Sequence, residues 1–162
     1  MYSDMNLIIS PEQFHPNSMN ILDKKPNMII DGNFSKIIYS TNHFILNGLL
    51  IDFPIDSSII KKINHTIIEY DTLKTENLIE SFQHIEQQML HYYLDYFQIT
   101  NKTCIYDLSD KLHTGSCKIY SSNYYKYSNN YLIPKYYIKI SGIWENDKHI
   151  GLTYKIIEYY LK

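Results

Sequence analysis

Arginine, alanine and valine are absent from this chain of 162 residues, glycine occurs five times and cysteine twice. Each gap closes off some chemistry. Without guanidinium groups no phosphate or carboxylate can be gripped by a planar fork, and every fixed cation is a lysine, a point charge on a flexible stem. Glycines at 32, 48, 115, 142 and 151 are too dispersed to form a phosphate-cradling loop. Cys104 and Cys117 are too few for a disulfide scaffold and suit a reducing compartment, with both thiols free. The start, MYSDMNLIIS, carries an acid and no base, so no secretory leader is expected. No apolar run approaches the length of a membrane-spanning helix. An intracellular protein without a membrane partner is the expectation.

What is present is equally skewed. Isoleucine, asparagine, lysine and tyrosine supply 73 of the 162 residues. All four have AT-rich codons, so an AT-rich genome explains the bias. Apolar residues reach 44% and charged residues 20%, a globular balance for a single domain of this length. The net charge of −2 argues against a general polyanion binder, but its distribution is uneven. Residues 1–117 carry 8 lysines and 14 acids, whereas 118–162 carry 7 lysines and 3 acids together with 10 of the 17 tyrosines.

Residues 1–27 read as an irregular or mobile lead-in, broken by Pro11, Pro16 and Pro26, ahead of a single domain over 28–162. The runs 34–40 and 43–53 suggest a hairpin turning at Thr41–Asn42, and 59–70 suggests a third strand. Over 76–97, Leu78, Phe82, Ile85, Met89, Tyr93 and Phe97 recur at steps of three and four, which predicts one long helix with Thr75 as N-cap. A shorter helix is predicted over 105–112, closed near Gly115, then a strand over 117–122 and a tyrosine-rich loop over 123–130.

The last element is a hairpin, about 138–157. Its apolar faces coincide if Ile138 pairs with Ile156 and Ile140 with Tyr154, leaving Asn146-Asp147-Lys148 as the turn and Gly142 opposite Leu152. In that register Trp144 shares the face of Ile138 and Ile140 and fills the core, while Lys139, Ser141, Thr153 and Lys155 form a polar outer face. The order of elements implies α+β: an antiparallel sheet or a partly open OB-like barrel with one long helix (about 76–97) and the terminal hairpin.

Enzyme signatures are missing. The seven histidines form no HExxH, and the cysteines have no zinc spacing. Glu80 and His84, one turn apart, fit an exposed helix face better than a metal pair, and Asp107 and Asp110 fit solvent-facing acids. Cys117 lacks the local context of a nucleophile. No catalytic residue, metal or cofactor is expected. The stretch 120–140 instead sets seven tyrosines among three lysines. Flat rings stack on unpaired bases and ammonium groups follow phosphates. Tyrosine also favours strands and is AT-coded, so composition alone accounts for part of the pattern.

The segments FSKIIYS…FILNGLLIDFPI (34–55) and IKISGIWENDKHIGLTYKII (138–157) resemble small, uncharacterised proteins of AT-rich nucleocytoplasmic large DNA (giant) viruses. The shared closing motif falls on Lys139, Ile140, Ser141, Gly142, Ile143 and Trp144, then Gly151, Leu152, Thr153, Tyr154 and Lys155. The resemblance spans about two-fifths of the chain, over 34–55 and 117–157. A weaker similarity links the strand pair to OB-like viral single-stranded-DNA-binding proteins. This chain ends EYYLK where those carry an acidic tail.

Together these expectations describe a non-enzymatic viral protein, placed in the host cytoplasm (viral factory) or the virion. It would bind single-stranded DNA or RNA without strong sequence preference. Tyr124, Tyr125, Tyr127, Tyr136 and Tyr137 would stack on bases, and Lys126, Lys135, Lys139 and Lys155 would meet phosphates. Ser141, Gly142, Trp144, Gly151 and Tyr154 would be structural. The alternative is a virion assembly or protein-interaction module whose partner is another viral protein or a second copy.

Overall fold

The structure is a computed structural model that describes residues 7–121 and 133–160. In chain order these form β1 (Met19–Ile21), β2 (Lys25–Pro26), β3 (Asn33–Ser40), β4 (Ile45–Asn47), β5 (Leu49–Asp52), β6 (Ser58–Lys61), β7 (Thr66–Glu69), α1 (Glu76–Tyr96), β8 (Thr103–Ile105), α2 (Asp107–His113), β9 (Ser116–Ser121), β10 (Pro134–Glu145) and β11 (His149–Tyr160). The fold is α+β as expected. Its sheet is open, running β1-β3-β10-β11-β9-β7-β6, and mixed rather than wholly antiparallel. β8 and β9 both lie parallel to β11, the returning limb of the terminal hairpin.

The β10–β11 hairpin is the spine. The first half of β10 pairs with β5 and its second half with β3, so two smaller sheets share one long strand. Shorter elements differ from expectation for local reasons. Gly48, at φ +97°, splits the run 43–53 into β4 and β5, and a side chain there would stand 2.9 Å from the Ile140 carbonyl oxygen. The β3–β4 turn spans Thr41 to Phe44, whose backbone groups close it at 2.9 Å. The run 59–70 is itself a hairpin, β6–β7, closed by Lys62 N–H donating to the His65 carbonyl. The lead-in has the two short turns that its prolines imply, yet it packs down: Ile9, Phe14, Met19 and Ile21 are buried, and β1 pairs with β3.

α1 lies across one sheet face with Ile79, Phe82, Ile85, Met89, Leu90 and Tyr93 buried, the amphipathic stripe read from the spacing. Thr75 precedes it without a side-chain cap, its hydroxyl donating instead to the Asp71 carbonyl. Two buried carboxylates tie the helices to the sheet. Glu86 of α1 accepts the Leu108 and Ser109 backbone N–H groups and the Ser109 hydroxyl, satisfying the first turn of α2. Glu145 of β10 meets Lys24 at 2.9 Å and Lys102 at 3.6 Å, and accepts from Asn33 and the Tyr93 hydroxyl. Burial opposes its charge, but these donors, Lys24 above all, hold its pKa below the usual carboxylate value.

The hairpin register is right as far as Ile140 and then slips. Ile138 faces Ile156 and Ile140 faces Tyr154, but Gly142 faces Thr153 instead of Leu152, leaving Ser141 as an unpaired bulge. The bulge sits where β10 leaves β5 for β3. Beyond it the inward positions change parity, so Ile143 and Glu145 are buried and Trp144 turns outward, half-buried. The expected core role of Trp144 is therefore wrong. One unpaired residue moved the ring to the other face.

Candidate functional site

Side chains on the sheet face away from the helices follow from strand alternation and register. β10 contributes Lys135, Tyr137 and Lys139, and β11 contributes Thr153, Lys155, Ile157 and Tyr159. β9 adds Lys118 and Tyr120, and β3 adds Phe34 and Lys36. Among the described residues, the helices lie on the other face, where the two short turns of the lead-in contact α1. The exposed character of Lys118, Tyr120, Lys135 and Lys155 agrees with this assignment.

Three lysines fall in one row. Lys139 stands directly opposite Lys155 in the β10–β11 ladder. β9 is aligned with β11 so that Ile119 is level with Ile156, which sets Lys118 level with Lys155. Like charges placed opposite each other across strands destabilise a sheet. Part of the charge is met by aromatic faces. The Lys155 and Lys118 ammonium groups lie 5.0 and 5.3 Å from the centroid of the same Tyr120 ring. Tyr137, one row further, and Tyr159, two rows further and level with Lys135, are diagonal neighbours with ring centroids 5.5 Å apart. On β5, Asp52 is level with Tyr137. Burial raises its pKa, with Lys135 pulling the other way.

Toward the hairpin turn the face becomes aromatic and apolar. Lys36 is level with Gly142, and Phe34 with Trp144. Both glycines on this face lie beneath rings. A Cβ on Gly142 would come within 2.5 Å of the Phe34 ring, and one on Gly151 within 2.6 Å of the Trp144 indole. Trp144 and Gly151 are ladder partners, so the indole lies across the backbone of the neighbouring strand. Both rings line a depression of ≈ 720 Å³ bordered by Met28, Ile29, Ile30 and Thr153.

Of the residues expected to bind, Tyr124, Tyr125, Lys126 and Tyr127 lie outside the described residues. Lys135, Tyr137, Lys139 and Lys155 share the outer face. Tyr136 does not: it is 1% exposed, and its phenol oxygen accepts from the Ser57 hydroxyl at 3.0 Å, so it packs in the core and cannot stack on a base. The reason is parity, since Tyr136 alternates with Lys135 and Tyr137. The Tyr154 hydroxyl donates to the carboxylate of Asp107 at 2.8 Å, so this solvent-facing acid also ties the start of α2 to β11. Burial pushes the Tyr154 pKa far up, with Asp107 adding to it.

Sequence reasoning missed Lys36, Lys118, Tyr120, Phe34 and Tyr159. The alternation Lys118-Ile119-Tyr120 marks a two-faced strand, but only the parallel placement of β9 beside β11 joins it to Lys155. Among the described residues no cluster of three or more His, Cys, Asp or Glu side chains is arranged to hold a metal. Cys117 is buried against the Tyr70 hydroxyl, and burial raises its thiol pKa, which suits an inert thiol. No family model, curated protein or solved structure matches this chain.

Proposed function

We propose that the outer sheet face binds single-stranded nucleic acid without strong sequence preference, by contact alone and without catalysis. The observation that carries this reading is the row Lys139, Lys155, Lys118, with Tyr120, Tyr137 and Tyr159 beside it. Aligned ammonium groups repel one another in the free protein and are relieved by a polyanion laid across them, while the neighbouring rings offer faces to unpaired bases. Lysine-only contacts suit phosphates and give little base discrimination. The weaker resemblance to OB-like viral single-stranded-DNA-binding proteins implies the same ligand class.

The test is retention of the purified chain on a single-stranded-DNA column at about 50 mM salt, followed by affinity for oligo-dT against salt. Three to five phosphate contacts predict a fall of about 20- to 100-fold between 50 and 200 mM. Absence of retention at the lower salt overturns the proposal. A second reading, an assembly module meeting another viral protein or a second copy, draws on Met28 and Ile29, which are 95% and 93% exposed. Self-association without any response to oligonucleotide favours it.

A further inference from the structure

Phe34 lies so close to Gly142, and Trp144 to Gly151, that a side chain on either glycine would collide with the ring. Both rings line the ≈ 720 Å³ depression. That volume is in the range of small-ligand pockets.

Thr153, which lines the depression, and Lys155 of the lysine row are successive outward positions of β11. Lys36, exposed and level with Gly142, stands between the two regions. From Lys139 to Trp144 the path along β10 is ~13 Å, four extended steps once the bulge is discounted. Asp31 and Asn146 also line the pocket, where a carboxylate and an amide offer polar partners to a base edge.

We propose, resting on the nucleic-acid reading above, that the Phe34–Trp144 pocket is a nucleobase-stacking subsite. An unpaired base lodges against the indole and phenyl faces while the phosphates of the same strand run past Lys36 to Lys139, Lys155 and Lys118. Met28 and Ile29 flank the base as an aliphatic rim, which accounts for two large apolar side chains standing almost fully in solvent. The occupant is a base of the bound strand rather than a peptide, because the pocket neighbours the lysine row along β11 and ring faces suit a planar ligand.

Trp144 is the only tryptophan in the chain, so its emission reports this pocket directly. The probes are a dT15 oligonucleotide and an abasic strand of equal length, which has the phosphates but no bases. dT15 should quench Trp144 emission, and the abasic strand should bind more weakly with little quenching. Trp144→Leu and, separately, Phe34→Leu should lower dT15 affinity at least fivefold while leaving abasic affinity unchanged, with folding checked by thermal melting. Trp144→Phe should restore most of the loss. Binding of dT15 without quenching, or equal losses for both strands, overturns the subsite and leaves the lysine row standing. Binding of neither strand at low salt overturns both. Concentration-dependent shielding of Trp144 without oligonucleotide assigns the pocket to a second copy and overturns the subsite.

Discussion

The Trp144 indole lies over Gly151, its partner across the β10–β11 ladder, so closely that a single added carbon on Gly151 would stand 2.6 Å from the ring. Gly151→Ala must therefore lift the indole or bend the strand. A cost of about 1–3 kcal/mol is expected, as for other overpacking changes. Displacing the ring into water should also shift its emission to longer wavelength. An unchanged spectrum and melting temperature would show that the ring is not seated on the glycine.

Because Trp144 is half-buried on the outer face, its removal leaves no closed cavity. Trp144→Ala should cost about 1–2 kcal/mol, below the ~3–5 kcal/mol typical of an enclosed aromatic. Ile143→Ala, one residue away and fully buried, should cost about 2–5 kcal/mol. Chemical denaturation of the two variants tests the faces assigned by the bulge, and a reversed order would refute that assignment.

Lys139 and Lys155 give a sharper separation of binding from folding. Lys139→Glu turns a repulsive cross-strand pair into an attractive one, so stability should hold or rise by ~0.2–1 kcal/mol. Oligonucleotide affinity should nevertheless fall, and the Lys139→Glu, Lys155→Glu double variant should lose at least tenfold. Melting temperature and binding measured together would show the trade. Affinity unchanged in the double variant would remove the row from the binding surface.

Glu145 makes stability depend on pH in a definite direction. Its folded pKa lies below the unfolded value of about 4.5, since the bonds from Lys24 and its neighbours outweigh burial. The stabilisation is present above that unfolded value and is lost as pH falls through the lower folded pKa. Glu145→Gln should cost about 2–3 kcal/mol at pH 7, leaving Lys24 and Lys102 without their counter-charge, and the difference from wild type should shrink toward pH 3. Glu86 has the opposite sense. Burial, assisted by Asp107, raises its pKa despite the Ser109 and Leu108 bonds. Its contribution therefore favours the folded state more at low pH and declines as pH rises from 4.5 toward the raised folded value. Denaturation midpoints between pH 3 and 8 for wild type, Glu145→Gln and Glu86→Gln would check both signs.

Periodicity alone determined much of this protein. The stripe from Leu78 to Phe97 required an amphipathic helix, and Ile138, Ile140, Ile150, Leu152 and Ile156 required a hairpin with one buried face, because local alternation is written in adjacent residues. The concentration of lysine and tyrosine after residue 117 was equally plain. Which of those side chains meet was decided by tertiary structure. Tyr136 and Tyr137 are chemically identical, and strand parity sends one into the core and the other outward. Lys118 reaches Lys155 only because β9 is laid parallel to β11, a pairing between strands 37 residues apart in the aligned register Ile119–Ile156. Trp144 was reversed by the Ser141 bulge, which arises where β10 changes partners from β5 to β3. Strand order and partner exchange are non-local: they depend on how distant segments fill one core, and no window of neighbouring residues encodes them.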